Sequence, residues 1–179
     1  MPYLCEASRS TLIIIDLQEK LMPVIADGVD VVKRALMLAQ VAKLLDIPVL
    51  GTVQQPLRLG RAVPAIQSML DTTCEKIDFD ACAEPAFLAS LAPERGDLIV
   101  LGCEAHICVL QTVLGLLHRK QRVKLVVDAI GSRQHANKLA AINRAQSAGA
   151  DIVTSEMVIF EWMRNSDHPQ FKEILQLIK

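Results

Sequence analysis

Cys108 closes the stretch Gly102-Cys103-Glu104-Ala105-His106-Ile107-Cys108, which lies between two apolar runs. The run before it, Leu98-Ile99-Val100-Leu101, has the length and composition of a fully buried strand. The run after it, Val109 to Leu117, is apolar on nearly every helical face, as a buried helix is. Strand, tight turn and helix would set Cys108 at or just before a helix N-terminus. Free backbone N–H groups and the positive end of the helix dipole favour a thiolate there. The competing reading is a small core hydrophobe. A cysteine hydrolase also needs a base for the thiol, a cation for the thiolate and donors for an oxyanion. Asp16, at the end of the run Leu12-Ile13-Ile14-Ile15, can serve as the base. Lys76, between Glu75 and Ile77, can serve as the cation or can be a solvated surface lysine. His106, in the turn just before Cys108, suggests a Cys/His pair, but its position makes it a weaker partner than Asp16. His118, His135 and His168 stand isolated along the chain.

Positioning these groups requires a particular set of elements. Leu12 to Ile15 reads as a first strand and Pro48 to Val53 as a second, with an amphipathic helix over Val29 to Leu45 between them. Its apolar face is expected to carry Val32, Leu36, Ala39, Ala42 and Leu45. Gln54 to Arg61 reads as a polar loop, and Pro64 to Leu70 and Pro85 to Leu91 as short helices opened by proline. Asp71 to Phe79 is ambiguous. Val123 to Val127 is a strand ending at Asp128, followed by a turn at Gly131-Ser132-Arg133 and a helix over Ala136 to Ala148, with Gly149 at its C-cap. Asp151 to Thr154 is a last short strand. Ser155 can cap a helix to about Trp162, and Pro169 to Ile178 is a terminal helix. Strands alternating with helices predict a parallel sheet covered on both faces. In such sheets the carboxyl ends of the strands form one rim, where ligands bind. Asp16 and Cys108 would meet there. No repeat or linker interrupts the pattern, so one domain over residues 1–179 is expected.

Composition narrows the function classes. With 51% hydrophobic residues and only 3% aromatic, the core must be aliphatic. The formal net charge of −1, with no basic block, argues against a phosphate-neutralising surface and hence against nucleic acid as a partner. No apolar run is long enough for a membrane span, and the N-terminus lacks the features of a signal peptide. The five cysteines, Cys5, Cys74, Cys82, Cys103 and Cys108, form no C-x-x-C pair and suggest a reducing, cytoplasmic setting. No G-x-G-x-x-G follows a strand, so a dinucleotide cofactor is not expected.

The motifs together resemble a known family. Gly102-Cys103-Glu104-Ala105-His106-Ile107-Cys108-Val109 resembles the nucleophile signature of the isochorismatase-like cysteine hydrolases, and Leu12-Ile13-Ile14-Ile15-Asp16-Leu17-Gln18 resembles their opening strand and catalytic acid. Lys76, followed by Ile77-Asp78-Phe79-Asp80, stands where the family places its lysine. Asp128-Ala129-Ile130-Gly131-Ser132-Arg133, Gly149 to Glu156 and Ile159-Phe160-Glu161 match later segments in the same order. The loop Gln54 to Gly60 is most similar to the branch called isochorismatase domain-containing proteins.

This resemblance implies a three-layer α/β/α fold with a mostly parallel, doubly wound six-stranded sheet in the order 3-2-1-4-5-6. It also implies a catalytic triad of Asp16, Lys76 and Cys108. In amidase members the aspartate takes the thiol proton, the thiolate forms a thioester, and water releases the acid. Isochorismatases proper cleave a vinyl ether without the cysteine, so Cys108 points toward a small amide or carbamoyl substrate. The alternatives are an isochorismate-like substrate, for which Arg58 and Arg61 would be the paired cations, and a non-catalytic interaction protein that keeps the fold. The resemblance further implies a cis peptide at Cys103–Glu104, with the backbone N–H groups of Glu104 and Cys108 as the oxyanion hole and the Glu104 side chain turned away. Nicotinamidase members bind metal through an aspartate and histidines after the second strand. Val53-Gln54-Gln55-Pro56 has no histidine there, so no catalytic metal and no cofactor are expected. Family members are usually oligomers, and a homo-oligomer is expected here.

Overall fold

The computed structural model describes residues 4–178. The aliphatic runs form strands β1 (Ser10–Ile15), β2 (Val49–Gln54), β3 (Thr72–Lys76), β4 (Asp97–Cys103), β5 (Arg122–Gly131) and β6 (Asp151–Val153). They make one sheet in the order β3-β2-β1-β4-β5-β6, and every pairing is parallel. All residues of β1, β2 and β4 are buried, which is why they read as unbroken apolar runs rather than alternating ones. Between the strands lie α1 (Gly28–Leu44), the short α2 (Pro56–Leu59), α3 (Pro64–Gln67) and α4 (Pro85–Ser90), then α5 (Leu110–His118), α6 (His135–Ser147), α7 (Ser155–Met163) and α8 (Phe171–Ile178). One layer groups α1 with α3, α7 and α8, and the other groups α5 with α6. β1 and β4 are adjacent, so Asp16 and the turn after Cys103 leave neighbouring strands at the same edge.

Several elements depart from the sequence reading. The ambiguous segment is the edge strand β3, and its alternation buries Cys74 and Lys76 while leaving their neighbours exposed. β5 does not end at Asp128. A register shift opposite Val100 and Gly102 lets it run on and pair Ile130 and Gly131 with Gly102 and Cys103. The stripe that α1 buries is Val31, Ala35, Leu38 and Ala42, while Val32 and Leu36 are only partly covered. This helix is apolar over a wide arc, so pattern alone left its rotation open. Thr154, not Ser155, caps α7, accepting a hydrogen bond from the Met157 N–H. Ser155 instead donates its backbone N–H and its hydroxyl to the Asp128 carboxylate, at 2.8 and 2.6 Å. Gly149 follows α6 at φ +106, the conformation expected of a helix stop.

Gly102 sets how closely β1 and β4 approach at the rim. It pairs with Ile15 and has φ +123, and a β-carbon there would lie 2.0 Å from the Ile15 carbonyl oxygen. Backbone strain and the clash together predict that Gly102→Ala costs about 3 kcal/mol. Urea denaturation checks this, and a loss well below 1 kcal/mol would contradict it.

Candidate active site

Four strand ends supply the site. Asp16 follows β1 with φ 49, a left-handed conformation that aspartate tolerates better than most residues. Its backbone N–H donates to the Thr52 carbonyl at 3.2 Å, anchoring it to β2. Lys76 is the last residue of β3 and pairs in register with Gln54, the last of β2. Cys108 comes from the turn after β4. Asp16 is 0% exposed, Lys76 2% and Cys108 7%, so the groups meet in a water-poor setting. Lys76 Nζ lies 2.7 Å from Asp16 Oδ2 and donates to Gln54 Oε1 at 2.6 Å and to the Asp78 carbonyl at 3.4 Å. The Thr52 hydroxyl donates to Asp16 Oδ1 at 2.7 Å. Cys108 Sγ stands 4.0 Å from Gln54 Oε1, and the charges of Asp16 and Lys76 both act on the thiol.

Cys108 lies just before the α-helix, as the sequence predicts, but the turn that holds it is itself helical. That turn is the wider, π-helical Ala105–Val109, and the α-helix begins at Leu110. The Glu104 carbonyl accepts from the Ile107 and Val109 N–H groups at 3.0 and 3.2 Å, passing over Cys108. The site does not favour a resting thiolate. Burial, and then the Asp16 charge, push the Cys108 thiol up to about 12, outweighing Lys76. A nucleophile at this position would therefore start as a neutral thiol and would have to hand its proton to a base as it attacks. The other four thiols are raised too, each mainly by burial. Thiolate absorbance near 240 nm is expected to stay flat in the native protein from pH 6 to 9 and to appear near pH ~8.5 once it is unfolded. A native thiolate signal at neutral pH that disappears in Cys108→Ala would contradict this.

The Cys103–Glu104 peptide is cis, as the resemblance implied. The Glu104 carboxylate accepts from the Arg133 backbone N–H at 2.9 Å and from its Nε at 3.1 Å, so it is engaged by the segment after β5. His106 turns to Ser132 Oγ, 3.0 Å from Nδ1, and to Asn137 Nδ2, 3.4 Å from Nε2, so its ring is committed elsewhere than the thiol. Arg58 and Arg61 are exposed on the segment after β2. Among the described residues, no group of three or more His, Cys, Asp and Glu side chains is placed to hold a metal ion. None of their helices is long and apolar enough to cross a membrane.

The sequence reading missed Thr52 and Gln54. The apolar pattern ends this strand at Val53 and leaves Gln54 as the start of a loop. Two polar residues spaced two apart at the end of an apolar strand share one face, which was the available signal.

Residues 10–157 match the family model described as "Isochorismatase domain". The mouse isochorismatase domain-containing protein 2A is 39% identical over 172 residues, covering 95% of this chain and 82% of the mouse protein. The solved structure described as "Structure of MAR1 Ribonuclease from Caenorhabditis elegans" superposes with a TM-score of 0.92 at 36% identity, over 98% of this chain and 92% of that one. The Escherichia coli YcaC gene product, described as "an octameric hydrolase of unknown specificity", shares the fold with a TM-score of 0.85 at 19% identity, over 97% of this chain and 95% of that one.

Proposed function

The chain belongs to the isochorismatase family, whose membership suggests a hydrolase, and on that premise we propose that it is a cysteine amidase for small amide or carbamoyl compounds. The observation that carries the proposal is the wholly buried Asp16–Lys76 pair beside the nearly buried Cys108 thiol. As the sulfur attacks the substrate carbonyl, its proton passes to Asp16. The oxyanion is held by the backbone N–H groups of Glu104 and Cys108. Collapse expels the amine, which takes the proton from Asp16, and leaves a thioester on Cys108. Water then attacks the thioester, giving its proton to Asp16. The second collapse releases the acid and returns the proton to sulfur. Throughout, the Lys76 ammonium offsets the negative charge that moves between Asp16 and Cys108.

The test is ammonia or amine release from a panel of small amides and carbamoyl compounds, run beside isochorismate. Turnover of at least one amide is expected. Turnover of isochorismate alone, or of nothing in the panel, would overturn the reading.

The active unit proposed is a single domain over residues 1–179 acting in a homo-oligomer, as the octameric YcaC relative suggests. The related C. elegans protein is called a ribonuclease. RNA is not favoured here, because 19 Lys and Arg against 20 Asp and Glu leave no cationic excess for a phosphate backbone. The chemistry proposed needs no metal, so activity is expected to survive exhaustive chelation. Activity lost to a chelator and restored by zinc, iron or manganese would contradict it.

A further inference from the structure

We propose that Thr52 and Gln54 are positioning residues of this site, the Thr52 hydroxyl fixing the Asp16 carboxylate and the Gln54 carboxamide oxygen fixing the Lys76 ammonium. The proposal rests on the reading of Asp16, Lys76 and Cys108 as a hydrolytic triad.

Both residues are in β2, two apart, so the pleat puts their side chains on one face. Both are buried, at 2% and 7% exposure. Thr52 takes one oxygen of Asp16, Oδ1 at 2.7 Å, while Lys76 takes the other, Oδ2 at 2.7 Å. The carboxylate is thereby held in one rotation, with its two oxygens distinguished. At Gln54, Nε2 donates to the Ile77 carbonyl at 2.5 Å while Oε1 accepts from Lys76 Nζ at 2.6 Å. A flipped amide would aim its NH2 at an ammonium and its oxygen at a carbonyl, so the network permits one orientation. The Gln54 backbone is held as well. Its N–H donates to Gln18 Oε1 at 2.7 Å and its carbonyl accepts from Gln18 Nε2 at 3.0 Å. Gln18 Nε2 also reaches the Gly60 carbonyl at 2.7 Å, tying together the loops after β1 and β2. A residue held at backbone and side chain, with one oxygen on the lysine and 4.0 Å from the nucleophile sulfur, is built to keep a cation in place. Apolar side chains of the same size would fill this space equally well but could not orient either charge.

The test is alkylation of Cys108 by iodoacetamide, followed by peptide mass spectrometry from pH 4 to 9, which needs no knowledge of the substrate. Sulfur bonds to the reagent carbon, iodide leaves and the thiol proton passes to Asp16, so the rate falls on the acid side. Thr52→Val removes a donor to the carboxylate, and the acid limb is expected to move up by about 1 pH unit. Thr52→Ser should restore it. Gln54→Met loosens Lys76 and should lower the plateau rate about tenfold, the worth of one hydrogen bond to a charged group. Gln54→Glu keeps an oxygen on Lys76 but sets a second carboxylate 4.0 Å from the sulfur and an oxygen against the Ile77 carbonyl, so it should not recover that rate. Circular dichroism verifies folding, and Thr52→Ala replaces the valine variant if that one does not fold. Wild-type limb and plateau in the Thr52 and Gln54 variants would overturn the proposal. If Asp16→Asn and Lys76→Met also leave the profile unchanged, the triad reading falls with it. If those two abolish the profile while the β2 variants keep it, only the positioning proposal falls.

Discussion

Cys108→Ala is expected to lower amide hydrolysis by about a thousandfold or more, because a covalent route has no substitute nucleophile at that point. His106 cannot take over, being engaged by Ser132 and Asn137. The variant should fold normally, since only a small, nearly buried sulfur is removed and the turn's backbone bonds to the Glu104 carbonyl remain. Initial rates on the best amide found, with thermal melting as the folding control, check both expectations. Isochorismate supplies the contrast, since vinyl-ether cleavage does not need the thiol. A Cys108→Ala protein that still hydrolyses its amide within tenfold of wild type would remove the covalent mechanism.

Lys76→Met should be the more damaging change to the fold. Both partners of the Asp16–Lys76 pair have side chains at 0% exposure, 2.7 Å apart. Removing the ammonium leaves a buried carboxylate with only the Thr52 hydroxyl to satisfy it. Breaking a buried pair from one side typically costs about 3–5 kcal/mol, because a charge is left uncompensated. Urea denaturation should show that loss together with a collapse of activity. The double variant Asp16→Asn, Lys76→Met should regain much of the stability and none of the activity, since it removes both charges at once. A single-variant loss below about 1 kcal/mol would mean that water reaches the pair, and that it is an ordinary partly solvated bridge.

The balance between sequence and structure follows from what each residue's role depends on. Leu12 to Ile15 and Leu98 to Leu101 had to be buried strands, because no other element suits so short and continuous an aliphatic run. That alternation of strands and helices carried Asp16 and Cys108 to one rim. The motif order, through its resemblance to the family, added Lys76, the strand order and the cis peptide at Cys103–Glu104. None of this required contacts between distant residues to be known in advance.

What stayed hidden depended on such contacts. Thr154 rather than Ser155 caps α7 because Asp128 claims Ser155 from another strand. β5 overruns Asp128 because β4 shifts register beside it. A place near a helix start favours a thiolate, yet a local dipole is a small effect beside desolvation by the whole fold and a carboxylate brought in from β1. The sequence reads Thr52 as part of a strand and Gln54 as the start of a loop, and the two acquire meaning only once Asp16 and Lys76 arrive on either side of β2. Which elements form and which reactive groups they carry can be read from the chain, because hydrophobic period and residue chemistry are local properties. The upward push on the Cys108 thiol and the partners of each charge come from the tertiary structure, because burial and electrostatic interaction are summed over residues far apart in the chain.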